Sequence, residues 1–238
     1  MPDARLFSAA DPPRSIPRSP FAAVIFDMDG VLIDSEPLHL RATQTALGAR
    51  GASFSERDNR AFFGATDPEQ FRILRILFDL DATTAELVGA KREHLRRLIR
   101  TEGQPLPGVP SVPRLLREAG MLLGLVSSSA RPVIQTVLET VALDTAFHTV
   151  VSGDEVPRGK PAPDGFIMAA RRLQVPPECC LVVEDSRNGV LAAKAAGMTV
   201  AAIPCRATSH EDFSPADLVL PSLEALPKAL ALNGHVVH

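Results

Sequence analysis

An unbroken apolar run, Phe21 to Phe26, ends on two carboxylates, Asp27 and Asp29, with Gly30 behind them. Six apolar positions rich in β-formers read as a buried strand. In an open parallel α/β sheet, ligands bind outside the carboxyl ends of the strands, so Asp27 stands where chemistry is expected. Residues i and i+2 of a strand share a face, which would let Asp27 and Asp29 converge on one ligand. Converging carboxylates repel and need a cation or a proton between them. A divalent metal answers this need, and oxygen ligands favour Mg²⁺. Taken alone, the stretch fits a strand followed by a turn equally well, because Asp and Gly are common turn residues. A calcium loop fits poorly, since Gly30 directly follows the second Asp and Glu36 is out of register beyond an apolar run.

The same pattern recurs downstream. Strand-like runs at Met121–Val126, His148–Val151, Cys180–Val183, Thr199–Ile203 and Asp217–Leu220 alternate with helical stretches at Pro110–Gly120, Pro132–Thr140, Pro163–Leu173 and Asn188–Ala196, and Ser222 caps a last helix. Repeated strand–helix units predict a doubly wound α/β fold, a parallel sheet with helices on both faces. Between residues 37 and 105 no strand-like run occurs. Four helical stretches fill this interval, with starts near Pro37, Ser55, Thr66 or Asp67, and Thr83 or Thr84. The interval is expected to be a smaller all-helical insert (37–105), and the sheet domain to comprise residues 21–36 and 106–238.

Residues 1–20 carry five prolines and no apolar segment of a secretory leader, and are expected to be a disordered tail. The formal net charge of −3 gives no footprint for nucleic acid. No apolar run approaches a membrane span. Cys179, Cys180 and Cys205 are three, two of them adjacent, which points to reduced thiols and a cytoplasmic location. A monomer or weak dimer is expected.

Polar groups gather at three strand ends: Asp27 and Asp29, Ser127 and Ser128, Glu184 and Asp185. Lys160 adds a cation just ahead of a helix. Each has a plainer reading, the serines as a helix cap and Lys160 as a solvated loop lysine. Two acids directly after an apolar strand are costly unless paired or metal-bound.

In this order, Asp27-x-Asp29-Gly-Val-Leu-x-Asp-Ser, Ser127, Lys160-Pro-x-Pro and Glu184-Asp185-Ser, the residues resemble the four motifs of the haloacid dehalogenase superfamily of aspartate-dependent phosphohydrolases, over residues 21 to about 230. The helical insert resembles the cap of the branch that includes beta-phosphoglucomutase and sugar-phosphate phosphatases. The resemblance implies a Rossmann-like core, Mg²⁺ held by Asp27, the Asp29 backbone carbonyl, Asp185 and Glu184, and phosphate binding by Gly30, Ser127, Ser128 and Lys160. It makes Asp27 the nucleophile, Asp29 the acid–base group, and a small phosphorylated metabolite the partner. Glu36, His39, Gly64 and Thr66 match insert positions that face the site in similar proteins.

Where the mutase carries a Lys before the loop glycine and an Arg three residues after it, this chain has Phe63 and Asp67. That disfavours a grip on a second phosphate and favours a phosphatase of sugar or polyol phosphates over a phosphomutase. Arg72 and Arg75 are substitutes for the missing cations if they face the site. A dehalogenase is disfavoured by the presence of Asp29. A phosphonoacetaldehyde hydrolase needs an insert lysine for a Schiff base, and Lys91, amid Arg and Glu, reads as solvated. A non-catalytic binding protein on this fold would have lost a nucleophile or metal ligand, and none is missing.

Overall fold

The structure, a computed structural model, describes residues 20–62 and 66–231. The tail expectation for residues 1–20 and the site expectation for Gly64 fall almost wholly or wholly outside them. Strand β1 (Ala23–Phe26) is buried at every position. It pairs in parallel with β2 (Leu122–Val126) on one side and β4 (Cys180–Glu184) on the other. Strand β3 (Thr149–Val151) extends the sheet beyond β2, while β5 (Thr199–Ala202) and β6 (Leu218–Val219) extend it beyond β4. The six-stranded order is β3-β2-β1-β4-β5-β6. This is the doubly wound parallel sheet, and the chain reverses its direction of winding at β1, where a crevice opens above the carboxyl ends.

Alternate residues of the same strand feed two cores. Val24 and Phe26 join Leu123, Leu125, Leu181 and Val183 in one cluster. Ala23 and Ile25 join Val182, Val200 and Phe166 in the other. Burial on both faces is why β1 is a continuous apolar run with no polar alternation. Helices α5 (Ser111–Glu118) and α6 (Arg131–Thr140) contribute to the first cluster. Helices α7 (Asp164–Leu173) and α8 (Arg187–Ala195) contribute to the second.

Between β1 and α5 the chain forms α1 (Glu36–Gly48), α2 (Glu56–Arg60), α3 (Asp67–Leu77) and α4 (Thr84–Glu102). Reciprocal capping boxes start three of them, Ser55 with Asp58, Thr66 with Glu69, and Thr83 with Glu86. Leu47, Phe54, Phe71, Leu74 and Leu87 make a separate small core. Helix α4 also reaches the sheet domain: Leu95 and Ile99 belong to the first cluster, and Arg96 Nε donates to Thr136 Oγ1 on α6 at 3.1 Å.

Candidate active site

Asp27 follows β1 directly, and its N–H still donates to Val183 O at 2.9 Å, so the sheet ladder fixes its backbone. Across that ladder, Glu184 ends β4 with a fully buried side chain. Glu184 Oε2 accepts from the N–H groups of Asp185 and Ser186, both at 2.9 Å, and from Ser186 Oγ at 3.0 Å. Its Oε1 accepts from Lys160, which also donates to Asp27 Oδ1. The Lys160 ammonium lies 5.2 Å above the Phe166 ring. Two glycines make this closeness possible. A Cβ on Gly189 would stand 1.7 Å from Glu184 Oε1, and one on Gly30, at φ +77°, 2.0 Å from Asp185 Oδ2. Gly30 donates its N–H to Ile33 O at 2.9 Å.

Carboxylate oxygens of Asp27, Glu184 and Asp185 lie within 4.8 Å of one another, all three residues buried. One lysine answers three carboxylates, which leaves two negative charges in a desolvated space. Burial pushes Asp27 up to about 8 against the pull of Lys160, and Glu184 and Asp29 add to the rise. Asp185 is raised well above its ordinary value by burial, then by Glu184 and Asp27. Burial lowers Lys160, but Asp27 and Glu184 outweigh it and hold the ammonium above its usual range. A dication among these oxygens would close the charge balance, and all-oxygen donors fit a hard metal.

Asp29 corrects the expectation drawn from strand geometry. The strand ends at Phe26, so the two-residue periodicity no longer governs position 29, and Asp29 is not one of the three residues whose oxygens close within 4.8 Å. Ser35 Oγ donates to its Oδ1 at 2.5 Å and Ser129 Oγ to its Oδ2 at 3.3 Å. His39 Nε2 stands 3.6 Å from Oδ1 and is buried without a hydrogen-bond partner. Burial pushes Asp29 upward, yet the His39 imidazole, the Ser35 hydroxyl and the charge of Lys91 hold it below its ordinary value.

Lys91 is the second correction. Its side chain is 3% exposed, and it donates to Asp67 Oδ1 at 2.6 Å. At 2.9 Å from His39 Nδ1, the ammonium makes that nitrogen the acceptor and leaves the proton on Nε2, facing Asp29. Of the charged neighbours that suggested a solvated lysine, Glu93 is exposed, while Arg92 faces the cavity with Lys91. Asp67, which stands where the mutase carries a cation, has its charge answered by Lys91 and by Arg92 at 3.5 Å.

A cavity of about 690 Å³ spans these groups and the insert. Asp27, Asp29, Gly30, Ser127, Ser128 and Lys160 line it, and Asp185 borders it too. Ser127 Oγ accepts from Ser129 N at 3.0 Å, and the Ser128 N–H has no acceptor among the described residues. Glu36, His39 and Thr66 border the insert side. Glu36 Oε1 accepts from Asn59 at 3.1 Å, and the Thr66 hydroxyl is occupied in the capping box of α3. Arg72 and Arg75 are exposed and do not line the cavity. Arg92 and Asp154 do line it and escaped the sequence reading. So did Ser129, whose only signal was its place in the Ser127–Ser129 run.

Residues 21–197 match the family of haloacid dehalogenase-like hydrolases. The chain belongs to this family. Among its curated relatives, hexitol phosphatase B of Escherichia coli K12 is 36% identical over 221 residues, 89% of this chain and 96% of the relative. Fructose-1-phosphate phosphatase YqaB of the same organism is 34% identical over 181 residues, 75% of this chain and 94% of the relative. The crystal structure of CbbY from Rhodobacter sphaeroides in complex with phosphate superposes with a TM-score of 0.80, at 30% identity over 87% of this chain and 96% of that one. No described helix of this haloacid dehalogenase-like hydrolase is long and apolar enough to cross a membrane.

Proposed function

We propose that this hydrolase removes phosphate from a sugar or polyol monophosphate with the help of Mg²⁺. It is a phosphatase of the haloacid dehalogenase-like family, like the hexitol and fructose-1-phosphate phosphatases among its relatives. The observation that carries the reading is the buried cluster of Asp27, Glu184 and Asp185, with one lysine and a surplus of two negative charges, at the floor of the cavity.

Asp27, Asp185 and the Asp29 carbonyl would hold the ion. Glu184, with Oε1 turned to Lys160 and Oε2 taking three further donors, adds charge and fixes the lysine. The ion would neutralise the phosphoryl oxygens, whose charge otherwise repels a carboxylate nucleophile. Lys160 keeps Asp27 in place and answers part of that charge. Ser127 and the free Ser128 N–H bind phosphoryl oxygens at the entry to α6. Asp27 attacks phosphorus, the ester P–O bond breaks, and Asp29 gives a proton to the departing alcohol. Asp29 then takes a proton from water, which attacks the aspartyl phosphate and releases inorganic phosphate with Asp27 restored. The first step needs Asp29 in its acid form and the second in its base form, and the pull of His39, Ser35 and Lys91 favours the second. Residues 37–105 act as a cap that covers the cavity and keeps bulk water from the intermediate.

Release of inorganic phosphate across a panel of phosphorylated metabolites, with Mg²⁺ and then with excess chelator, tests the reading. Chelator-sensitive turnover of sugar or polyol monophosphates is expected. Full activity after exhaustive chelation, or no turnover of any monoester, would overturn it.

A further inference from the structure

Arg92 on α4 lines the cavity beside Lys91 but is bonded quite differently. Lys91 has two close partners. Arg92 makes no hydrogen bond among the described residues, and its Nε is buried with no partner. Its nearest carboxylates are Asp67 Oδ2, 3.5 Å from Nε, and Asp154 Oδ1, 3.6 Å from a terminal nitrogen. Both are ion pairs too long to satisfy the donors. Elsewhere in the cavity Lys160 holds Asp27 and Glu184, and Arg158 is paired bidentately with Asp164. Arg187, 48% exposed, reaches Asp212 only at 4.0 Å and has no buried orphan nitrogen.

Asp154 sits in a 3₁₀ turn (Gly153–Glu155) just after β3, on the sheet side of the cavity. The Arg131 N–H, at the start of α6, donates to its Oδ2 at 3.3 Å, leaving Oδ1 toward Arg92. Cap and sheet domain thus present a guanidinium and a carboxylate to the same space, with no direct hydrogen bond between them.

We infer that Arg92 and Asp154 form a subsite that reads hydroxyl groups on the uncharged end of the substrate. This rests on the phosphatase reading and names the residues that would select its substrate. A hydroxyl is both acceptor and donor, so it takes a hydrogen bond from Arg92 and gives one to Asp154. A second phosphate or a carboxylate offers acceptors only and meets Asp154 head on. No positive charge is left over to attract it, because Lys91 and Arg92 are matched by Asp67 and Asp154. The favoured substrate is therefore the monophosphate of a neutral polyol or sugar, with bisphosphates and phosphorylated sugar acids discriminated against.

The test compares kcat/KM for sorbitol 6-phosphate, p-nitrophenyl phosphate and fructose 1,6-bisphosphate in the full chain with Mg²⁺, for the wild type and for Arg92→Gln, Arg92→Lys and Asp154→Asn. The ratio of sorbitol 6-phosphate to p-nitrophenyl phosphate should fall about 10–100-fold in both Arg92 variants, mainly through KM, as expected for lost charge-assisted hydrogen bonds. Asp154→Asn should lower the same ratio and raise the relative rate on the bisphosphate. An unchanged ratio in Arg92→Gln, full selectivity in Arg92→Lys, or a wild type that prefers the bisphosphate would each overturn the subsite while leaving the phosphatase reading intact. A variant that loses all substrates equally, with an unchanged melting temperature, would also overturn it. No turnover of any of the three by the wild type would sink both readings.

Discussion

The two sides of the cavity are built on opposite plans. On the sheet side, Asp27, Glu184 and Asp185 are delivered by strand ends whose backbones are locked in the ladder, and the charge they gather exceeds what Lys160 can answer. On the insert side, His39, Asp67, Lys91 and Arg92 come from helix surfaces, Asp67 answers Lys91, and Arg92 finds its second carboxylate, Asp154, across the cavity. The first side is unfinished until a cation arrives. The second has most of its charges matched and leaves single donors open, such as His39 Nε2 and Arg92 Nε. The proposed division is that chemistry sits on strand ends and recognition on helix side chains, with α4 tied to the sheet domain through Leu95 and Ile99.

Asp27→Asn should break the sheet side most severely. Shape is kept but the nucleophile is lost, and kcat should fall at least about 10⁴-fold with an unchanged circular dichroism spectrum. Wild-type turnover in folded protein, verified by mass to be free of deamidation, would remove Asp27 from its role. Asp29→Asn should cost roughly 10²–10⁴-fold, the usual worth of a general acid–base group.

Lys91→Met tests the insert side. It strands a largely buried Asp67 and unlocks the His39 tautomer, so stability should drop by about 3 kcal/mol in a urea titration. The double variant Lys91→Met/Asp67→Leu should recover much of that loss. No recovery would mean that packing, not charge, explains the site. Gly30→Ala introduces a Cβ at positive φ in the space held by Asp185, and should cost about 2 kcal/mol together with weakened Mg²⁺ binding. Unaltered Mg²⁺ affinity, measured by calorimetry, would argue against a role for that close approach.

The smallest effect concerns pH. Burial raises Asp27 from the ordinary carboxylate range to about 8, and Asp185 also lies above its ordinary value. A carboxyl raised in the folded state contributes stability that is complete below about pH 4 and is lost as pH climbs toward 8. Metal-free protein should therefore weaken over that interval through these groups. Mg²⁺, by stabilising the ionised forms, should raise the melting temperature more at pH 8 than at pH 5, by about 2–4 °C for each kcal/mol gained. An equal or larger gain at pH 5 would contradict the charge-surplus account of the sheet side.

These plans also explain what was legible in the sequence. All six expected strands begin and end within two residues of their observed bounds; β1, β2 and β4 in the middle of the sheet stand out because strands buried on both faces have no polar interruptions. Acids that end such strands stand out against an apolar background. Lys91 and Arg92 lie inside the run Lys91-Arg-Glu-His94, where every residue is polar, and the sequence has no contrast to show which two turn inward. Their partners are remote as well, Asp67 across the insert and Asp154 beyond β3. The expected convergence of the Asp27 and Asp29 side chains went astray for a different reason. The two-residue rule was carried past Phe26, where the strand had already stopped.

The central place of β1 has a consequence for biosynthesis. As the chain leaves the ribosome, β1 emerges first and can pair with β2 long before β4 exists. Its other edge, carrying only apolar side chains from Ala23 to Phe26, must wait through the making of α6, β3 and α7. During that wait it is an open edge of the kind that recruits other strands. The carboxylates at its end are meanwhile kept apart from Glu184 and Asp185, and Lys160 is synthesised before either of them. The nascent chain thus acquires its neutralising lysine ahead of the last two acids, and the act that seals the vulnerable edge is the same one that assembles the charged centre.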